Sequence, residues 1–156
     1  LLHAHHEHVR ELEALRRVQR GQAHGVRALA VAALERDHES GERRWFLRLH
    51  GEEKEVFSVW LHLRQRTFHV ETFLMPAPEE RAGEVYEHLL RRNVKLAPFA
   101  ASIGEEDAIF LSAQVPNAWL DADLLDELLG GAYEHTERCF RPAMRLAFGS
   151  RLPTTF

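Results

Sequence analysis

The chain has 156 residues, 45% of them hydrophobic, a formal net charge of −4 and one cysteine. That length fits a single domain with a real core, and so mild a charge gives no electrostatic case for a nucleic-acid binder. One cysteine excludes an internal disulfide and fits a reducing, cytoplasmic setting.

The longest uncharged run, 108–120, is too short to span a bilayer and carries Gln114, Pro116 and Asn117. No membrane partner is therefore expected. No secretory signal pattern is visible, and because the chain starts at Leu1 a natural start upstream is expected. Protonating all eleven histidines would reverse the sign of the net charge, so solubility should respond to pH.

Residues 1–25 form a charged, histidine-rich preface. Val9, Leu12, Leu15 and Val18 give it a weak helical stripe, and Gly21 and Gly25 punctuate it, so it reads as a tail or a docking helix. In 26–36, the spacing of Val26, Leu29, Ala30, Ala33 and Leu34 predicts a helix. A polar loop through Ser40-Gly41 follows.

Alternation then predicts three strands. In 45–49 the odd positions share a face. In 56–63, Phe57, Val59, Leu61 and Leu63 face one way, while Trp60 and His62 face the other. Arg64-Gln65-Arg66 is the expected hairpin turn, although it lacks glycine or asparagine. In the third strand Phe68, Val70, Thr72 and Leu74 alternate with His69, Glu71 and Phe73.

Pro78-Glu79-Glu80 suits a helix start. Ala82, Val85, Tyr86, Leu89 and Leu90 give that helix one apolar stripe, and Asn93 suits its left-handed stop. Strands are expected over 96–103 and 108–115, joined by the acidic loop 104–107. Asp121 is a good N-cap for a long helix, which Gly130-Gly131 weakens and opens to another backbone, and which Pro142 should kink or restart. Residues 151–156 read as a tail. The element order is α(α)βββαββα, an α+β domain.

Few residues read as chemistry. His3, His5, His6 and His8 have imidazole spacing that suits a transition metal, against the plainer reading of a solvated tail. His135 and Cys139 are one helical turn apart, but neighbouring Glu134 and Glu137 would raise the thiol pKa, so a buried structural cysteine is expected. The acids Asp121, Asp123, Asp126 and Glu127, and Glu105, Glu106 and Asp107, have adequate roles at a helix start and a hairpin tip. The arginine groups at 16–20, 43–44, 64–66 and 91–92 are interleaved with acids and read as a mixed surface. No catalytic residue and no cofactor are expected. Trp60, His62 and Trp119 are the interface candidates. Trp60 stands on the face opposite Phe57, Val59 and Leu61, where it either meets a partner or packs beneath the N-terminal helix.

Several stretches occur in an order, and at spacings, that resemble the YbjN-like family, also labelled bacterial sensory transduction regulators. They are Val85-Tyr86 through Leu89-Leu90-Arg91-Arg92-Asn93, Phe99-Ala100, Ala108-Ile109-Phe110-Leu111, Leu124 to Gly130, and Phe140 through Phe148. The resemblance covers 26–150. It implies a fold similar to type III secretion chaperones: a twisted antiparallel sheet of about five strands with helices on one face, usually dimeric, binding partner polypeptide without chemistry. The hairpin at Gln65, the acidic 104–107 loop and the histidine-rich start depart from the family pattern.

The expectation is thus a homodimeric, non-catalytic protein- or peptide-binding module. Its alternatives are an enzyme or small-molecule binder whose site unites residues such as His88, His135 and Glu134, and a purely structural dimeric subunit.

Overall fold

The computed structural model describes residues 28–36 and 43–153, the first stretch as backbone. Six antiparallel strands, β1 (Ala28–Arg36), β2 (Arg43–His50), β3 (Val56–Leu63), β4 (Thr67–Met75), β5 (Ala100–Ile103) and β6 (Ile109–Pro116), form one sheet. Their order across it is β1-β2-β3-β4-β6-β5. Two helices, α1 (Ala82–Asn93) and α2 (Ala122–Phe148), complete the α+β architecture.

Alternation puts one row of each strand on the core face. Trp45, Leu47 and Leu49 of β2, Phe57, Val59 and Leu61 of β3, Phe68, Val70 and Leu74 of β4, and Ile109, Leu111, Ala113 and Val115 of β6 are buried in one cluster. α2 covers them with Leu125, Leu128, Leu129, Ala132, Cys139, Ala143 and Ala147. α1 adds Val85 and Leu89, and packs on α2 and β5. Thr72 is the buried polar residue among the described sheet positions, and its hydroxyl donates to the Ser58 carbonyl at 2.8 Å. That bond removes the cost of burying an unpaired hydroxyl.

The segment 26–36, expected as a helix, contains strand β1 instead. Its register with β2 shifts between Ala28 and Ala30 and again between Val31 and Ala33. Such irregularities break the two-residue alternation by which a strand announces itself in sequence. An alanine-rich segment carries little strand preference of its own, and pairing along β2 decides its state.

Smaller corrections have similar causes. α1 starts at Ala82, after Arg81 in the left-handed region at φ 52°, and not at Pro78. Glu79 and Glu80 are held elsewhere: the Glu80 carboxylate accepts from the Ser150 amide at 3.0 Å and its hydroxyl at 2.8 Å, and Glu79 pairs with Arg151. The residues before α1 are thereby tied to the end of α2. The Ser150 hydrogen bonds hold the Glu80 carboxyl below the usual carboxylate range.

Asn93 does not turn left-handed, since the chain stays right-handed through Val94. Its side chain instead reaches Ala101, accepting from that amide at 2.7 Å and so pinning edge strand β5 to the end of α1. The strand expected over 96–103 is confined to 100–103, after a run of turns. Pro142 neither ends nor restarts α2, which is one helix from Ala122 to Phe148. Gly131 admits the Phe99 ring and not a second backbone, as a β-carbon there would lie 3.0 Å from that ring. The Asp121 cap forms as expected, accepting from the Leu124 amide at 2.8 Å.

Candidate functional site

Both helices lie on the core face, and among the described residues nothing comparable covers the other. Outward positions of β2, β3, β4 and β6 fall into cross-strand rows. Phe46 is opposite Trp60, which is opposite Glu71, which is opposite Ser112. The next row runs Arg44, His62, His69, Gln114. On the far side of Trp60, Phe73 is opposite Phe110.

Aromatic rings make this face unusual. Trp60 is 41% exposed and Phe73 40%, although each is flanked by other aromatic side chains. The Phe46 and Trp60 rings are 4.7 Å apart, and Phe73 meets Phe110 edge-on at 5.6 Å. Arg48 lies 5.8 Å over the Phe46 ring, and Lys54 lies 4.9 Å over Phe73. Guanidinium and ammonium groups over rings are favourable, and the rings remain open for contact with a further surface.

Beside Trp60 is a concavity of about 440 Å³ lined by Arg44, His62, Arg64, His69, Glu71 and Glu105. The two imidazole rings are 6.3 Å apart. Arg44 Nε lies 3.5 Å from His62 Nε2, and Arg64 Nε lies 3.2 Å from His62 Nδ1. The Arg64–Arg66 turn is held by Asn117, whose side-chain amide donates to the Arg64 carbonyl at 2.8 Å and whose backbone amide donates to Arg66 at 3.0 Å. Trp119 follows on the same short turn and is 68% exposed.

A second open surface lies at the β5 edge. Tyr86, Leu89 and Leu90 of α1, with Ala101, Ser102, Ile103 and Ile109, line an apolar groove of about 360 Å³. Leu90, Val94 and Ile103 are all more than half exposed. Leu90 is therefore the one member of the expected apolar stripe that points away from the core.

Trp60 and His62 thus share one face, with Trp119 near its Arg64 end. From sequence Phe46, Phe73 and Phe110 did not stand out, and Arg44 and Arg64 read only as part of a mixed surface. Their signal was the other half of the same alternation, which places Arg44, Phe46 and Arg48 outward together. His3, His5, His6 and His8 lie outside the described residues.

Residues weighed for chemistry have other engagements. Burial pushes the Cys139 thiol up, away from a reactive thiolate. His135 packs edge-on against Phe99 at 5.8 Å, Glu134 pairs with Arg138 at 2.5 Å, and His88 accepts from Arg92 at 3.0 Å. Among the described residues no three His, Cys, Asp or Glu side chains are grouped to hold a metal ion, and no helix is long and apolar enough to cross a membrane. Because burial holds His135 and His88 below the ordinary histidine value, the unfolded chain binds their protons first as pH falls. Stability contributed by the neutral rings is present above about pH 6.5 and is lost as pH drops through the lowered values. We expect the melting temperature to fall between pH 7 and 5, and less steeply in His135→Gln.

Comparison with known proteins gives the fold and the family. The structure of the ExsC–ExsE complex matches at a TM-score of 0.50 and 17% identity, covering 83% of this chain and 92% of that one. A chain of the heterodimeric ExoU–SpcU complex from the type III secretion system of Pseudomonas aeruginosa matches at a TM-score of 0.48 and 19% identity, over 61% of this chain and 84% of that one. The fold, type III secretion chaperone-like, is shared with the matched chain of the ExsC–ExsE structure. An uncharacterised protein of Mycobacterium tuberculosis is 32% identical over 104 residues, 67% of this chain. The chain spans 57% of that relative's length. The model of the YbjN family, described as "Putative bacterial sensory transduction regulator", matches residues 24–143, which span the whole six-stranded sheet, α1 and most of α2, and the chain belongs to that family.

Proposed function

We propose that this protein is a non-catalytic protein-binding module, a chaperone-like or regulatory adaptor that works as a homodimer and grips partner polypeptide on the outer sheet face. The observation that carries the reading is the pair of exposed rings Trp60 and Phe73, each packed on a half-buried outward ring, Phe46 or Phe110, and framed by cations. Aromatic and arginine side chains supply most of the anchoring in protein interfaces. The chaperone complexes that share this fold support a polypeptide partner.

The homodimer is assigned to the β5 edge. β5 has a sheet neighbour on one side only, and the Asn93 side chain takes the Ala101 amide, so what this end of the sheet offers a second copy is the apolar groove of Leu90 and Ile103. A second copy related by a two-fold axis buries both grooves against each other and closes the assembly.

Two variants separate the surfaces. Ile103→Asp with Leu90→Asp should give a folded monomer by light scattering; a dimer that persists rejects the edge assignment. Trp60→Ala with Phe73→Ala should keep the dimer and lose a stoichiometric partner that co-purifies with the wild type from its source. Retention of that partner by the double variant, or absence of any partner with the wild type, refutes the binding role of the face.

A further inference from the structure

We propose that Arg44, His62 and Arg64 form a carboxylate-recognising subsite beside Trp60, so that the partner is an acidic segment whose apolar side chains lie on the Trp60–Phe46 pair. This inference rests on the preceding assignment of the outer face to a polypeptide and adds the chemistry of what is bound.

The geometry of His62 points to it. Arg44 Nε and Arg64 Nε approach the two different nitrogens of one imidazole, at 3.5 Å and 3.2 Å. A neutral ring has one acceptor nitrogen and carries a hydrogen on the other. Only one of the two arginines can therefore hydrogen-bond to the ring, and a protonated ring accepts from neither. In each protonation state at least one guanidinium faces a ring nitrogen that cannot receive its hydrogen. Among the described residues neither Arg44 nor Arg64 has a carboxylate at ion-pair distance. The species this bracket lacks is an oxyanion, which two guanidinium groups take up through charge-assisted, geometrically matched hydrogen bonds.

Two acids bound the subsite and set its polarity. Glu71 is opposite Trp60 on the neighbouring strand, and Glu105 lines the same concavity. Arg64 stands four residues along the chain from Trp60, roughly 13 Å in an extended chain, so the Arg64 end is the more positive. An incoming carboxylate is steered to His62 and Arg64 and away from Glu71. The row holding Trp60 and the row holding His62 are two residues apart, roughly 7 Å, the distance between side chains at i and i+2 of an extended segment. An alternating acidic–apolar sequence matches that spacing.

The test uses the full chain and three probes: acetyl-Glu-Leu-Glu-Leu-Glu-amide, the same peptide with glutamine for each glutamate, and inorganic phosphate. Binding is followed by amide and imidazole NMR shifts at low salt. The glutamate peptide should shift Arg44, Trp60, His62 and Arg64, and should bind at least about tenfold more tightly than the glutamine peptide. Arg64→Gln and Arg44→Gln, with unchanged melting temperatures, should each remove most of that difference, and Glu71→Gln should strengthen binding about twofold. Equal binding of both peptides overturns the carboxylate subsite and leaves the apolar docking face standing. Phosphate that shifts the same residues as strongly as the glutamate peptide overturns it in favour of a small-anion site. Failure of both peptides to shift the face overturns it outright.

Discussion

Glu137→Ala is expected to destabilise the fold by about 2–3 kcal/mol, because one carboxylate accepts from three successive backbone amides across the molecule. The Glu52 and Glu53 amides donate to Oε2 at 2.7 and 2.8 Å, and the Lys54 amide donates to Oε1 at 3.1 Å. The turn between β2 and β3 thus wraps around a side chain of α2. Glu53 adds an ion pair to Arg141 one helical turn further on. Lys54 donates to the Leu74 carbonyl at 3.0 Å, and burial lowers its pKa to about 8. The turn is therefore latched to both the helix and the end of β4. The partly exposed site admits water to the orphaned amides, which keeps the expected loss at the lower end for three charge-assisted bonds.

Glu137→Gln keeps one acceptor oxygen and should lose about 1 kcal/mol. Gly51 gives an independent check. A β-carbon there would fall 2.0 Å from Glu137 Oε1 and 2.6 Å from the Lys54 carbonyl, so Gly51→Ala displaces the same latch. Glu137→Ala and Gly51→Ala should then be strongly non-additive in a double-mutant cycle by urea unfolding. Additive losses would show that the turn holds without the carboxylate.

Leu61→Ala and Trp60→Ala should differ sharply although the residues are adjacent. Leu61 is fully buried beneath the helices, and its truncation is expected to cost about 2–5 kcal/mol through lost transfer energy and a cavity. For a domain of this size that corresponds to roughly 10 °C in melting temperature. Trp60 is 41% exposed on the other face and gives up mainly its contact with Phe46, so its truncation should cost about 1 kcal/mol or less. The expected pattern is a large stability loss with binding intact per folded molecule for Leu61→Ala, and the reverse for Trp60→Ala. Thermal unfolding with partner titration reads both. Equal stability losses would mean that the outer face belongs to the core.

Much of the architecture was legible in the chain because strand and helix periods are local. Phe57, Val59 and Leu61 against Trp60 and His62 is a two-residue pattern that any half-buried strand must show, and the structure keeps it position by position. The Asp121 cap and the apolar spacing of Leu125, Leu128 and Leu129 are likewise set within a few residues. The candidate site was only half legible. An outward tryptophan marks a strand's open face, but Phe46, Phe73 and Phe110 come to that face from three other strands, and no spacing along the chain records how those strands meet.

What the sequence alone determined is therefore the set of local periods, caps and turns, together with the α+β class and the family pattern that they support. The tertiary structure decided the rest wherever a partner distant in the chain outweighs local preference. β1 is a strand because β2 presents it with a backbone edge, across register shifts that erase the alternation. Asn93 holds β5, Glu137 holds the 52–54 turn, and Glu80 holds Ser150, each trading a local role for a hydrogen bond 8 to 85 residues away. The Arg44–His62–Arg64 bracket exists for the same reason: strand register and a turn bring two guanidinium groups to one imidazole, and the electrostatics of that meeting depend on distances that only the folded sheet sets.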